Sequence, residues 1–354
     1  MKVIHINSGL GNQMLGYCAL LSLRQSNPDD SFYLDTTIYE LPDECQWTSN
    51  WNGYELKKVF GIDTPSIKTV FTDEQWKGVI RDILDSRFWE KAMNYPVYFT
   101  KAFNNAGLHL VNKKGNYEDP NGQKFRSLHP SLMDRIRDWF FNRTGFGVWF
   151  KRIWREHHES DFIRPFAHPE RLFMKTDEDI FTGLLLDFKY RGNHIEQIDK
   201  EIRKTFIFPD YSTDRNREFS AFLDSCNSVF IHARRGDMLS ANGWCYKYGF
   251  FKRAVRYIKK KVADPVFVFF TNTGSIEWCK ENAKQFGLDL KRDSVLFVDW
   301  NTGEDSFRDM QLMSHCKHGI ITNSTFGWWG AYLIDNPDKI TISPLVEINT
   351  TYHC

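Results

Sequence analysis

Val229-Phe230-Ile231-His232-Ala233-Arg234-Arg235-Gly236-Asp237 is the stretch on which the reading of this chain turns. A short apolar run, rich in β-branched and aromatic residues, reads as a strand buried on both faces. It ends abruptly in two adjacent arginines. Paired cations at the end of a buried strand are costly unless an anion or a carboxylate meets them. Two readings follow: Arg234 and Arg235 hold an anionic ligand, with Asp237 orienting one of them, or the three residues form an internal Arg–Asp clamp. Guanidinium forks match a departing diphosphate in both shape and charge, which favours the ligand. Side chains alternate along a strand, so His232 shares a side with Arg234, opposite Ala233.

Working outward, similar runs recur at Val266–Phe270, Val295–Val298, Gly319–Thr322 and Ile340–Ile342. Segments of helical period lie between them, at Phe250–Val262, Ile276–Phe286, Asp305–Cys316 and Phe326–Ile334. Apolar strands alternating with helices predict a parallel sheet covered on both sides, which is a Rossmann-like domain. Such sheets bind ligands at the carboxyl ends of their strands. Two further segments fall there. Asn272-Thr273-Gly274 is placed to reach a base or ribose, or merely turns the chain. In Asn323-Ser324-Thr325-Phe326-Gly327-Trp328-Trp329-Gly330, Ser324 or Thr325 fits a helix N-cap, with amides that would receive an anion or simply be capped. Trp328 and Trp329 read as core packing.

The amino-terminal half opens the same way, with a strand at Val3–Asn7, the loop Gly9-Leu10-Gly11-Asn12-Gln13-Met14 and a helix at Leu15–Gln25. Gly11, Asn12 and Gln13 are candidates to touch a phosphate or sugar hydroxyl. The competing reading is a tight turn with Asn12 capping the helix. Met14 stands where a dinucleotide fingerprint needs a third glycine, which disfavours NAD. A strand at Phe32–Asp35 follows, and residues 40–121 show no clean period. The boundary falls near Phe208-Pro209-Asp210, giving an amino-terminal domain with inserted segments (1–208) and a carboxyl-terminal Rossmann-like domain (209–354). Trp139–Arg155 interleaves seven aromatic with four basic residues. It reads first as an inserted helical pair packed on its domain, and second as a peripheral membrane contact.

At 354 residues the chain exceeds one ordinary core. A net charge of +1 argues against a broad nucleic-acid surface. Neither a spanning segment nor a signal peptide is evident, and the seven cysteines are dispersed, which predicts a cytoplasmic chain, with a peripheral contact at the inner membrane face as the second reading. No metal is expected. His315-Cys316-Lys317-His318 and Glu156-His157-His158-Glu159 lack completing ligands, and no D-x-D motif ends a strand.

Taken together, Gly9–Met14, His232–Asp237 and Asn323–Ala331 resemble the three motifs of the bacterial α-1,2-fucosyltransferases of glycosyltransferase family 11. Asp309-Met310-Gln311-Leu312-Met313-Ser314 is similar to the lead-in to the third motif. The resemblance implies a GT-B fold, two Rossmann-like domains facing a cleft, with the acceptor on the amino-terminal side and the donor on the carboxyl-terminal side. It also implies GDP-β-L-fucose as donor, a galactose-containing glycan as acceptor, inversion, and no metal or other cofactor. On this likeness Arg234 grips the β-phosphate as the catalytic cation, supported by Asp237. Ser324 and Thr325 add diphosphate contacts, Asn12 approaches the reaction centre, and Gly11, Gln13, His232, Arg235, Asn272 and Phe326 complete the donor site. The chain departs from the family at Leu15-Gly16, Asn272-Thr273 and Gly327. Two alternatives stay open, a transferase using another nucleotide sugar and a non-catalytic glycan- or nucleotide-binding module.

Overall fold

The computed structural model describes residues 1–45, 52–90, 95–112, 131–147, 149–150, 169–182, 186, 193–247 and 249–344. The chain divides into two compact units, Met1–Ile207 and Phe208–Cys354.

The carboxyl-terminal unit holds five parallel strands: β4 (Ser228–Ala233), β5 (Val266–Thr271), β6 (Ser294–Val298), β7 (His318–Ile320) and β8 (Thr341–Ile342). Their spatial order is β6-β5-β4-β7-β8. Strand alternation sorts the core into two layers. Val229, Ile231 and Ala233 meet Phe250, Phe251, Ala254, Val255 and Ile258 of the helix Phe250–Lys261 on one face. Phe230, Val268 and Phe270 meet Leu312 and Met313 of the helix Phe307–His315 on the other. Each fully buried phenylalanine contributes about 1.5–3 kcal/mol relative to exposure. Trp329 is wholly buried and Trp328 packs against the second layer, so both serve the core. The helix expected over Ile276–Phe286 is broken into Ile276–Glu281 and a 3-10 turn at Ala283–Phe286, closed by Gly287 at positive φ.

The amino-terminal unit contains, among the described residues, a three-stranded parallel sheet, β1 (Lys2–His5), β2 (Phe32–Asp35) and β3 (Ile180–Thr182), in the order β2-β1-β3. The first helix runs from Leu10 to Ser26, five residues earlier than its period suggested. Its opening turn is wound from the glycine loop itself, because Gly9 rather than Asn12 occupies the N-cap. Gly16 packs closely on β1's exit: a Cβ there would lie 2.5 Å from Ile6 Cδ1. The aperiodic region after Glu40 is an aromatic core of Phe71, Trp76, Phe88, Phe99 and Phe103, with a capping box from Thr72 and Gln75.

Of the stretch Trp139–Arg155, expected to pack on its domain as a helical pair, Trp139 lies in the helix Leu132–Arg143 and is exposed, as are Phe146, Trp149 and Phe150, and residues 151–155 lie outside the described residues. Among the described residues no helix is long and apolar enough to cross a membrane. The six described cysteines are free thiols.

Candidate functional site

In a doubly wound sheet the ligand crevice lies where strand order reverses, outside the carboxyl ends of the two central strands. Here the reversal falls between β4 and β7. The chain leaves β4 through His232, Ala233 and Arg234, and leaves β7 through Thr322, Asn323 and Ser324. Two of the three sequence motifs therefore flank one switch point.

They also touch. The Phe326 ring lies 5.8 Å, centroid to centroid, from the His232 imidazole. Behind it, Gly327 faces the same ring so closely that a Cβ would sit 2.2 Å from Nδ1. A serine at this position would require the imidazole to move. His232 is buried and its Nδ1 has no hydrogen-bond partner within the protein. Burial, with the nearby Arg234 cation, lowers its pKa to about 3, so the ring is neutral at working pH.

Ser324 is the N-cap of the helix Thr325–Leu333, as one reading of the sequence required. Its hydroxyl makes no capping bond. The half-exposed side chain thus stands at a helix start without serving the helix, where an anion gains from both the dipole and the amide hydrogens.

The arginine loop is clamped from several directions. Thr271 Oγ1 donates to the Ala233 carbonyl at 2.6 Å, and the Tyr246 hydroxyl donates to the Arg234 carbonyl at 3.0 Å. Asn272 Oδ1 accepts the Arg235 amide at 2.7 Å. Gly236 turns the chain at φ +56°, with the Asn272 side chain against it. The two arginines take separate roles in this frame. Arg235 lays its guanidinium 3.3 Å from the Trp278 ring centroid and 5.0 Å from that of Tyr246. Arg234 is half-exposed at the strand end. Burial pushes Tyr246 well above the ordinary phenol range, so its hydroxyl remains a donor.

The remaining candidates divide as follows. Asn272 braces the arginine loop through its Oδ1. The Asp237 backbone lies in the 3-10 turn Gly236–Met238, and its side chain is outside the described residues. In the amino-terminal unit Gly11 is buried and Asn12 half-exposed in the first helical turn. Gln13 differs from expectation. It is fully buried, its amide donates to the Ser8 and Gly53 carbonyls at 2.9 and 2.8 Å, and its carbonyl accepts the Glu55 amide. All its polar capacity toward the glycine loop is spent on the fold.

Sequence reasoning missed Tyr246, Trp278 and a polar chain beyond β6. There Trp300 Nε1 donates to Asn216, Asn216 to Asn301, and Asn301 to Asp309, at 2.7, 2.9 and 2.9 Å. Burial of its carboxyl, then the Asp299 charge, pushes Asp309 up to about 7 against that last hydrogen bond. Tyr246 and Trp278 sit in ordinary apolar patterns, and only their approach to Arg235 distinguishes them.

Among the described residues no group of three or more His, Cys, Asp or Glu side chains is arranged to hold a metal ion. His315 pairs instead with Asp224 at 3.1 Å, and His318 Nδ1 accepts the Ile340 amide at 3.0 Å. Glu156–Glu159 lies outside the described residues.

A parallel sheet whose switch point presents an arginine and a helix start has the geometry with which α/β domains receive phosphate groups. Residues 203–353 match the model of "Glycosyl transferase family 11". It is 34% identical to an α-1,2-colitosyltransferase of Escherichia coli, over 46% of this chain and 54% of that protein. It is 29% identical to galactoside α-(1,2)-fucosyltransferase 2 of Oryctolagus cuniculus, over 43% of this chain and 44% of that one. The chain thus spans about half the length of the curated relatives it matches. Structures of the α-1,6-fucosyltransferase NodZ, one of them from Bradyrhizobium, align over 93–94% of this chain at 11% identity and a TM-score of 0.41.

Proposed function

We propose that the chain is an inverting, metal-independent fucosyltransferase of GT-B type. It transfers L-fucose from GDP-β-L-fucose to a glycan hydroxyl, O2 of a terminal β-galactoside. Residues 209–354 form the donor domain and 1–208 the acceptor domain. The observation that carries this reading is the contact of Phe326 and Gly327 with His232, which brings the arginine loop and the Ser324 helix start to one switch point.

The chemistry is a single displacement. The acceptor oxygen bonds to the anomeric carbon while the bond from that carbon to the β-phosphate oxygen breaks, GDP departs with the electron pair, and the acceptor's hydroxyl proton is released to solvent. Arg234 neutralises the charge that develops on the phosphate. Ser324, Thr325 and the amides of their helix start add fixed donors, with Asp237 supporting the arginines. Donors already in place pay no reorganisation cost as charge develops. Arg235 contributes chiefly by holding the loop, through Trp278 and Tyr246. His232, neutral and buried, lines the donor site.

The test is mass spectrometry of products from a panel of galactosides incubated with GDP-fucose in EDTA. A deoxyhexose added at O2 of galactose supports the proposal; hydrolysis without transfer, or transfer only with manganese, contradicts it. The name of the E. coli relative favours a colitosyl donor as a second reading. The same panel run with GDP-colitose beside GDP-fucose separates the two donors by product mass.

A further inference from the structure

Of the thirteen large apolar side chains exposed among the described residues, seven lie between Leu132 and Phe150, a cluster and not the usual scatter. They are Leu132, Met133, Ile136, Trp139, Phe146, Trp149 and Phe150. At the helical period, Leu132, Met133, Ile136 and Trp139 share one face of the helix Leu132–Arg143. Exposed Arg135 and Arg137 fall along the two borders of that face, and positions Asp134 and Asp138 fall opposite it.

The chain after this helix folds back on it. Thr144 Oγ1 donates to the Phe140 carbonyl at 2.7 Å and accepts the Gly147 amide at 3.0 Å. Gly147 is required there, since a Cβ would lie 2.1 Å from the Phe140 carbonyl oxygen. Ring contacts of Phe140 with Phe146, Phe141 with Phe150, and Phe146 with Trp149 join the two arms. The aromatic rings are thereby presented together. From Trp139 to Arg155 the sequence carries four basic residues and no acidic one.

We propose that this hairpin docks on an anionic phospholipid bilayer. Tryptophan and phenylalanine enter the headgroup boundary, while the bordering arginines meet lipid phosphates. Charge decides against a second copy of the chain. A twofold contact would set this face against itself and oppose cation to cation. The inference does not depend on the transferase reading.

Flotation with vesicles of phosphatidylcholine alone, and of phosphatidylcholine containing phosphatidylglycerol, tests it. The wild type is expected to bind the anionic vesicles about tenfold more tightly or better, with affinity falling as salt rises. Arg135→Glu with Arg137→Glu lowers affinity on the order of 100-fold, whereas lysine at both positions retains it. Trp139→Ser with Trp149→Ser also weakens binding, with circular dichroism and the thermal midpoint unchanged. Equal binding to both vesicles, or indifference to these substitutions, overturns the proposal. So does a concentration-dependent dimer that the same substitutions abolish, which would assign the face to copy–copy contact.

Discussion

The Arg235 guanidinium carbon stands 3.3 Å from the centroid of the Trp278 ring, and Tyr246, its ring centroid 5.0 Å from the same cation, donates to the Arg234 carbonyl. One arginine is thus held by aromatic rings so that its neighbour is held in place. A stacked, partly desolvated guanidinium of this kind contributes about 2 kcal/mol. Trp278→Ala is expected to lower stability by about 2–4 kcal/mol, measured by denaturant unfolding. Arg235→Lys loses the planar stacking and weakens GDP binding, although charge is conserved. Unchanged GDP affinity in Arg235→Lys would refute the positioning role.

Tyr246→Phe separates positioning from folding. It keeps the ring and deletes one hydrogen bond, at a stability cost of about 1 kcal/mol. Turnover of the donor should fall by more than that loss of stability implies, in kcat more than in KM. A variant with wild-type kcat would show that the Arg234 carbonyl needs no tether.

Gly327→Ser should be harmful. Its Cβ would meet His232 Nδ1 and Cγ at 2.2 and 2.8 Å. Overpacking of this kind costs about 1–3 kcal/mol. Thermal unfolding and donor affinity both report it. A neutral outcome would mean that the His232 ring can shift without consequence.

Two buried groups give opposite pH dependences. His232 is lowered from 6.5 to about 3, so between those values the unfolded chain binds more protons and stability rises with pH. Asp309 is raised from 3.8 to about 7, so across that window the folded chain binds more protons and stability falls as pH rises. The two largely cancel in their overlap. Asp309→Asn removes only the second, and the variant should gain on the wild type as pH climbs from about 4 to 7. Parallel stability curves for the two proteins would contradict the raised carboxyl.

The sheet of the carboxyl-terminal unit was legible because its strands are buried on both faces and read as uninterrupted apolar runs, as at Val266–Thr271. The arginine pair and the Ser324 cap were equally visible, since charge at a strand end and a hydroxyl at a helix start are local features. The separate duties of Arg234 and Arg235 were not. They depend on Trp278, more than forty residues away, reaching across the end of the sheet. The hydrogen bonds of Gln13 were hidden for a similar reason, its partners Gly53 and Glu55 being remote in sequence. The start of the first helix was missed because glycines at Gly9 and Gly11 argue for a loop, and burial of Leu10 and Met14 overrides that local preference.

The central claim is that Arg234, without a divalent ion, receives the diphosphate. Calorimetric titration of GDP into the wild type and Arg234→Ala, both in EDTA, tests it most directly. We expect the wild type to bind, and the variant to bind on the order of 100-fold more weakly. Equal affinity in the two proteins, or wild-type binding that appears only when manganese is restored, would contradict the account.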